Sequence, residues 1–551
     1  MTRSILLFLI FFQVLSPFAN SQKLRKADKE IISELQADIG SLTNDKMEGR
    51  RSGTSGEALA SDYIIGGFIK AGLKPLGDSG TYLQRFEIYD GRDITHTRFS
   101  INNADLILNT EFIPLPFSAI GKADGSPAIA LQESGSPWFY DLKETVEAAQ
   151  SNPHFDMDKL LREKTRLFEG KGATAVIFYN SSKTDDGIVF DPAEGIKPEK
   201  IPVLYVTKAG RKKYLRDISQ SLDVVIDVQM LEKKRWGHNV IGFLDLGAPY
   251  TVVIGAHYDH LGYGEDGNSL YRGAEKKIHP GADDNASGTA ALMELARLLK
   301  KTKNLRTNYL FIAFSGEESG LIGSKYFTEH PSVALSKISY MVNMDMVGRL
   351  NDSTHVLTIG GYGTSPQWAT LINGTLNKKL FVLNADSSGT GPSDHTSFYL
   401  KNIPVLFFFT GIHPDYHKPT DQPDKINYVG EMEVIHLIYD ITQKMDGMNK
   451  PVFVKTRDKQ FGVSPAFNVT LGLMPDYSFS GSGLRIDAIS EGRPAEKAGL
   501  KAGDIIIKLG DYSVISLQTY MEALSKFNRG DQTTVEFLRD KAEMKAAVQF
   551  K

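Results

Sequence analysis

Cysteine is absent from this 551-residue chain. That excludes disulfide staples, thiolate metal sites, cysteine nucleophiles and lipid-modified cysteines. A strong charge of either sign is also missing, since 63 Lys and Arg against 66 Asp and Glu leave a formal net charge of −3. A dedicated nucleic-acid binder carries a basic face, so no nucleic-acid partner is expected. Long apolar runs are scarce, and the notable one is at the start. After Arg3 and Ser4, residues 5–15 are apolar apart from Gln13, and Ala19-Asn-Ser21 follows. This run is too short to cross a bilayer core of about 30 Å, and the small residues suit cleavage before Gln22. Residues 1–21 therefore read as a signal peptide of an exported protein, periplasmic or secreted, with no stable membrane span. The remainder is ordinary globular sequence, 41% apolar and 23% charged. Its length suits three or four domains of about 150 residues each.

Along the chain, residues 31–47 have helical patterning, which Glu48-Gly-Arg-Arg-Ser-Gly-Thr-Ser-Gly56 breaks. A second helix carries Ala60, Ile64 and Phe68 at i, i+4 spacing and stops at Gly72. Between about residues 95 and 234 short strands alternate with loops, with apolar runs at 172–179 and 201–206. From Asn239 onward an apolar strand, a loop and a helix repeat, with strands expected at 250–256, 309–314, 338–343, 355–359 and 404–409. Near-continuous apolar strands alternating with helices predict an α/β fold. Its central sheet is expected to be mixed but mostly parallel, flanked by helices on both faces. Ligands of such sheets bind at the carboxyl ends of the strands.

The chemistry-bearing residues sit at those ends. The strand at 250–256 runs into His257-Tyr-Asp-His-Leu-Gly, and Pro280-Gly-Ala-Asp-Asp-Asn-Ala-Ser-Gly288 precedes a helix starting near Ser287. Phe314-Ser-Gly-Glu-Glu-Ser-Gly320 follows the second strand, Asn343-Met-Asp-Met-Val-Gly-Arg349 the third, and Asp415-Tyr-His-Lys-Pro-Thr-Asp421 the last. His and carboxylates delivered to a strand tip are poor core chemistry and good metal chemistry. His257 with Asp259 two residues on suits a ligand imidazole with its orienting carboxylate. An isolated Glu-Glu pair is usually only solvated surface, but the joint order of these motifs is hard to obtain by chance. His260, His279 and His413 read as polar loop histidines. Asp394-His395 competes for a place in the substrate pocket. Asn285 lies in a glycosylation sequon, but its place within the metal loop argues against modification.

These motifs resemble those of the M28 family of co-catalytic zinc peptidases, of zinc-peptidase/phosphorylase-hydrolase-like fold. The run around Asp45-Lys-Met-Glu-Gly-Arg50 resembles the start of such catalytic domains. The resemblance implies two zinc ions per chain bridged by Asp284, for which Asp283 competes. His257 and Asp345 would complete the first ion, and Glu318 and His417 the second. Glu317 would be the general base and then acid, Asp259 would orient His257, and Tyr416 would donate to the developing oxyanion. Peptides would be the substrates and the N-terminal peptide bond the target, attacked by a water held at the zinc ions. Residues 22–94 and 235–449 form the expected catalytic domain. Residues 95–234 resemble an inserted, β-rich protease-associated (PA) domain, a linker covers 450–461, and 462–551 resemble a PDZ domain. The last rests on Ser482-Gly-Leu-Arg485 and Pro494-Ala-Glu-Lys-Ala-Gly-Leu-Lys-Ala-Gly-Asp-Ile505. The Ser482 loop would capture peptide C-termini. Competing readings are a carboxypeptidase or dipeptidase of the same fold, kept open by Arg349, and a one-zinc glutaminyl cyclase-like transferase. A non-catalytic receptor would need to have lost the ligand residues, which are present.

Overall fold

The computed structural model describes residues 24–550 except 150–156, 191–197, 218–220, 272, 274, 457–468, 476–482, 490–492, 516 and 540–541. Residues 1–21, expected as a signal peptide, Ser482 and residues 457–461 of the expected linker lie outside the described residues. Among the described residues, no helix is long and apolar enough to cross a membrane.

The expected apolar runs become strands within a residue or so of their sequence limits. Thr251–His257, Asn308–Phe314, Ile338–Met344 and Val405–Phe409 are buried at every position. Side chains alternate across the pleat, so Val252, Ile254 and Ala256 enter one core while Val253 enters another. The first core is closed by helices Lys26–Leu42, Gly288–Lys301 and Tyr428–Met445. The second is closed by Phe327 and by Phe398 and Tyr399 of the helix His395–Tyr399. Two covered faces explain why these strands are uniformly apolar rather than alternating.

The central sheet is mixed, as expected. Asn308–Phe314, Thr251–His257, Ile338–Met344 and Val405–Phe409 pair in parallel in that spatial order. Antiparallel pairs flank them: Leu231–Leu244 on Asn308–Phe314, and Val356–Gly360 on Val405–Phe409. Parallel pairing aligns the carboxyl ends of the four central strands, so the loops after residues 257, 314, 344 and 409 open onto one edge.

Leu83–Asp93 pairs antiparallel with Leu231–Leu244, from Leu83 opposite Val240 to Asp93 opposite Leu231. The chain between them forms two four-stranded sheets. One contains Ala104–Asp105, Arg98–Ile101, Val224–Val228 and Gly121–Gly125; the other contains Phe112–Pro114, Val203–Val206, Ala175–Tyr179 and Pro137–Asp141. The C-terminal region is a six-stranded β-unit with its own core, including Ile486, Ile506, Phe537 and Val548. It also contains the helix Leu517–Leu524.

Candidate metal centre

His257 is the last residue of its strand and is 1% exposed. Its Nε2 lies 3.4 Å from Asp284 Oδ1 and 3.3 Å from Asp345 Oδ1. His417 Nε2 lies 3.3 Å from Asp284 Oδ2 and 3.3 Å from Glu318 Oε2. Asp284 thus turns one carboxylate oxygen to each of two His–carboxylate groups. A tetrahedral ion with bonds of about 2.0–2.2 Å separates neighbouring ligand atoms by roughly 3.3–3.5 Å. The observed edges match that spacing.

The imidazoles are oriented from behind. His417 Nδ1–H donates to the Asn268 carbonyl at 2.9 Å, leaving its Nε2 with a lone pair toward Asp284 and Glu318. His257 Nδ1 faces the Asp259 carbonyl at 3.2 Å and the Asp259 carboxylate at 3.5 Å. The Asp259 carboxylate also receives the backbone N–H of Glu317 at 3.3 Å, that of Glu318 at 3.4 Å, and the Ser52 hydroxyl at 2.8 Å. One carboxylate therefore serves both a histidine and the two glutamates.

The bridging loop is fixed by main-chain contacts. Asp421 Oδ2 accepts the N–H of Asp283 at 2.9 Å and of Asp284 at 3.1 Å. This joins the loop bearing His417 to the one bearing Asp284. Gly281 has φ +58°, and a Cβ there would run into the Asp284 carbonyl and the His260 ring; only glycine suits. Asp283 turns away from the cluster, accepting from Ser287 and Gly348 and facing His413 Nε2 at 3.2 Å. Asn285 is fully buried, its amide donating to the Met344 carbonyl.

Arg50 is buried completely and, among the described residues, pairs with no carboxylate directly. Its guanidinium donates to the carbonyls of Leu42 (2.7 Å), Tyr258 (2.7 Å), Pro280 (2.6 Å) and Gly281 (3.0 Å). Burial pulls its pKa down to about 10, while the fields of Asp284 and Asp259 act to keep it charged.

Buried charge is the dominant electrostatic fact. Burial pushes the Glu317 carboxyl well above its ordinary range, with Asp345 and Glu318 adding and His257 opposing. Burial alone would also raise Glu318, but His417 and His260 hold it down at about 2. For His257, burial favours the neutral ring, yet Asp345 and Glu317 outweigh it and lift the pKa well above normal. Asp394, also buried, is pushed to about 7. Carboxylates so concentrated in a dry site call for cations, and buried charges persist when they are paired or coordinate metals. The donor set of imidazole nitrogen and carboxylate oxygen suits a divalent ion at each group.

Three expectations need amendment or addition. His260, expected as a polar loop histidine, is fully buried within the cluster, its Nδ1 2.7 Å from Glu318 Oε1. The turn after the strand brings both His257 and His260 inward, because Arg50 holds the Tyr258 carbonyl and the Arg50 carbonyl takes the His260 N–H at 3.1 Å. His279 and His413 are buried as well, bonded to Ser269 and facing Asp283 respectively. Arg50, Ser52, Asn268 and Asp421 had no role from sequence; only the glycine-rich Glu48-Gly-Arg-Arg-Ser-Gly stretch marked the first two. Tyr416 stacks on His417 at 3.8 Å and adjoins an apolar patch of Met346, Phe407, Phe409 and Ile412 beside the cluster. His395 stacks on Phe407 at 4.4 Å.

The family model described as peptidase family M28 matches residues 239–442, which hold all of the groups around Asp284, and the PDZ domain model matches residues 455–550. The chain carries a peptidase family M28 domain. Over 320 residues it is 27% identical to the aminopeptidase YwaD of Bacillus subtilis, covering 54% of this chain and 63% of that protein. Over 274 residues it is 31% identical to an aminopeptidase of Pseudomonas aeruginosa, covering 46% of this chain and 47% of the relative. The alignments thus span about half to under two thirds of these curated relatives. Among solved structures, a zinc aminopeptidase from Bacillus subtilis aligns with 76% of this chain and 98% of its own at 22% identity and a TM-score of 0.44. The M28 match covers the parallel strands and their carboxyl-end loops, while the inserted β-region lies before it.

Proposed function

We propose that the chain is an exported aminopeptidase that holds two zinc ions in its M28 domain and hydrolyses the N-terminal bond of peptides. The observation that carries this reading is Asp284, whose two oxygens each face a separate His–carboxylate pair at ligand spacing. His257, Asp284 and Asp345 would hold one ion, and Asp284, Glu318 and His417 the other. Bound there, zinc supplies Lewis acidity to the scissile carbonyl and lowers the pKa of water toward neutrality.

The chain's own residues supply the rest. Glu317 reaches within 3.9 Å of His257 Nε2 without standing at the centre of either ligand set. It takes the proton of the attacking water and returns it to the leaving amine. Asp259 anchors Glu317 through its backbone N–H and orients His257. Tyr416, stacked on His417, offers its hydroxyl to the oxyanion that develops on the scissile carbonyl. The apolar patch beside it accepts the substrate side chain.

A carboxypeptidase would want a free cation for the substrate carboxylate. Arg349 instead faces Asp415 at 3.3 Å, and Asp415 also receives Lys425 at 2.6 Å. The acidic groups gathered at Glu317, Asp345 and Asp394 suit capture of a free α-amino group instead. Two complete ligand groups around Asp284 favour this reading over a one-zinc cyclase. We assign the inserted β-region as PA-like and to limiting access, residues 1–21 to export, and the C-terminal unit to binding peptide C-termini.

The test is a panel of amino-acid arylamides, N-blocked analogues and dipeptides, assayed with and without a chelator. Activity on free-amine substrates that disappears on blocking the amine or removing the metal is expected. Activity indifferent to the free amine would overturn the aminopeptidase reading.

A further inference from the structure

His260 is close enough to the Glu318 group to compete for a place as a ligand, since its ring nitrogen, Asp284 and Glu318 oxygens converge. The distances decide against that. His260 Nδ1 is 2.7 Å from Glu318 Oε1, shorter than the roughly 3.3–3.5 Å between two ligands of one ion. It is 3.9 Å from Asp284 Oδ2, longer than that edge. A spacing of 2.7 Å is that of a charge-assisted hydrogen bond to a carboxylate. Meanwhile the other oxygen, Glu318 Oε2, makes the 3.3 Å edge with His417. The two oxygens of Glu318 are thereby divided, one to a histidine donor and one to the ion position.

The donor is fixed in place. His260 is buried, its backbone N–H is held by the Arg50 carbonyl, and its ring fills the space that Gly281 leaves open. The Asn268 amide approaches Glu318 Oε2 at 3.4 Å, too far to replace it. We propose that His260 is a positioning residue that donates Nδ1–H to Glu318, restricts it to one-oxygen ligation and so strengthens the Glu318–His417 metal site. The proposal rests on the two-ion reading. It adds a residue that acts on one site and not the other, because Asp284 and the His257–Asp345 group receive no hydrogen bond from His260.

The experiment is zinc titration of the full chain against a chromophoric chelator, supported by absorption spectra of the cobalt-substituted protein. The variants are His260→Ala, His260→Leu and His260→Asn, the last carrying an amide N–H near the place of Nδ1. The donorless Ala and Leu variants should weaken one of two zinc-binding steps by about 10–100-fold, the usual range for lost support behind a ligand, and leave the other unchanged. His260→Asn should recover most of the loss. A shift shared by Ala and Leu, with metal-free proteins melting like wild type, separates this from a packing defect. Unchanged binding in both donorless variants would overturn the proposal. So would loss that His260→Asn does not repair, since that is the behaviour of a direct ligand. A wild-type chain that binds one zinc would overturn the two-ion reading instead, and the same variants would still decide the part of His260 on that single step.

Discussion

Glu317 and Glu318 are chemically identical neighbours, and their surroundings send them in opposite directions. Glu317 is driven toward its protonated form by burial among Asp345 and Glu318, whereas Glu318 is held ionised by His417 and His260 against the same burial. On the proposed reading the first is the proton carrier and the second a ligand. Glu317→Gln should keep both metals and the fold while turnover falls by at least about 10²–10⁴-fold. Metal analysis together with steady-state rates checks this, and near-normal turnover with full metal would mean the two roles are exchanged. Asp284→Ala should remove both ions, because each His–carboxylate group loses its shared oxygen. His257→Ala should weaken mainly one. Equal single-ion losses from both substitutions, read by elemental analysis after dialysis, would contradict a bridging Asp284.

At the scale of elements, the site depends on three segments that meet at Arg50. Its guanidinium ties the end of the helix Lys26–Leu42, the exit of the strand Thr251–His257 and the loop entering Ala282–Ser287 through their carbonyls. Arg50→Ala would leave buried carbonyls without donors, each worth about 1–3 kcal/mol. A loss of at least about 3 kcal/mol in urea unfolding is expected, with weaker zinc binding alongside it. Arg50→Lys should recover little, because a compact ammonium cannot reproduce a forked set of donors. Full stability in Arg50→Lys would show that charge rather than directed hydrogen bonding is what the segments need. The helices and apolar strands themselves were legible in sequence, because burial on both faces writes a continuous apolar run. The strand Leu231–Leu244 was not. Its first half is largely exposed while its second half is buried in the sheet, so its pattern changes along its length.

For the whole molecule, the prediction concerns the C-terminal unit and its proposed binding of peptide C-termini. If it grips peptide C-termini, it would hold a substrate whose other end enters the metal centre, and the gain would fall on longer peptides. A chain ending at Lys450 should then lose efficiency on a peptide of about ten residues, mainly in KM, and keep its rate on a dipeptide arylamide. Equal losses on both would indicate a packing role, and no loss on either would remove the unit from catalysis.

The sequence by itself determined the order of the parts: strand ends, the ligand-type residues that follow them, and the α/β sheet that lines those ends up. These are local properties of apolar runs and of the residues that stop them. Tertiary structure alone decided the inward turn of His260 and the anchoring of both glutamates on Asp259. It also decided that Arg50 supports the metal loop from more than two hundred residues away in sequence. The reason lies in loop geometry. Left-handed φ at Gly281 (+58°) and His417 (+53°) aims these segments, and the surrounding packing fixes those angles. No periodicity in the chain records the direction in which such a loop turns.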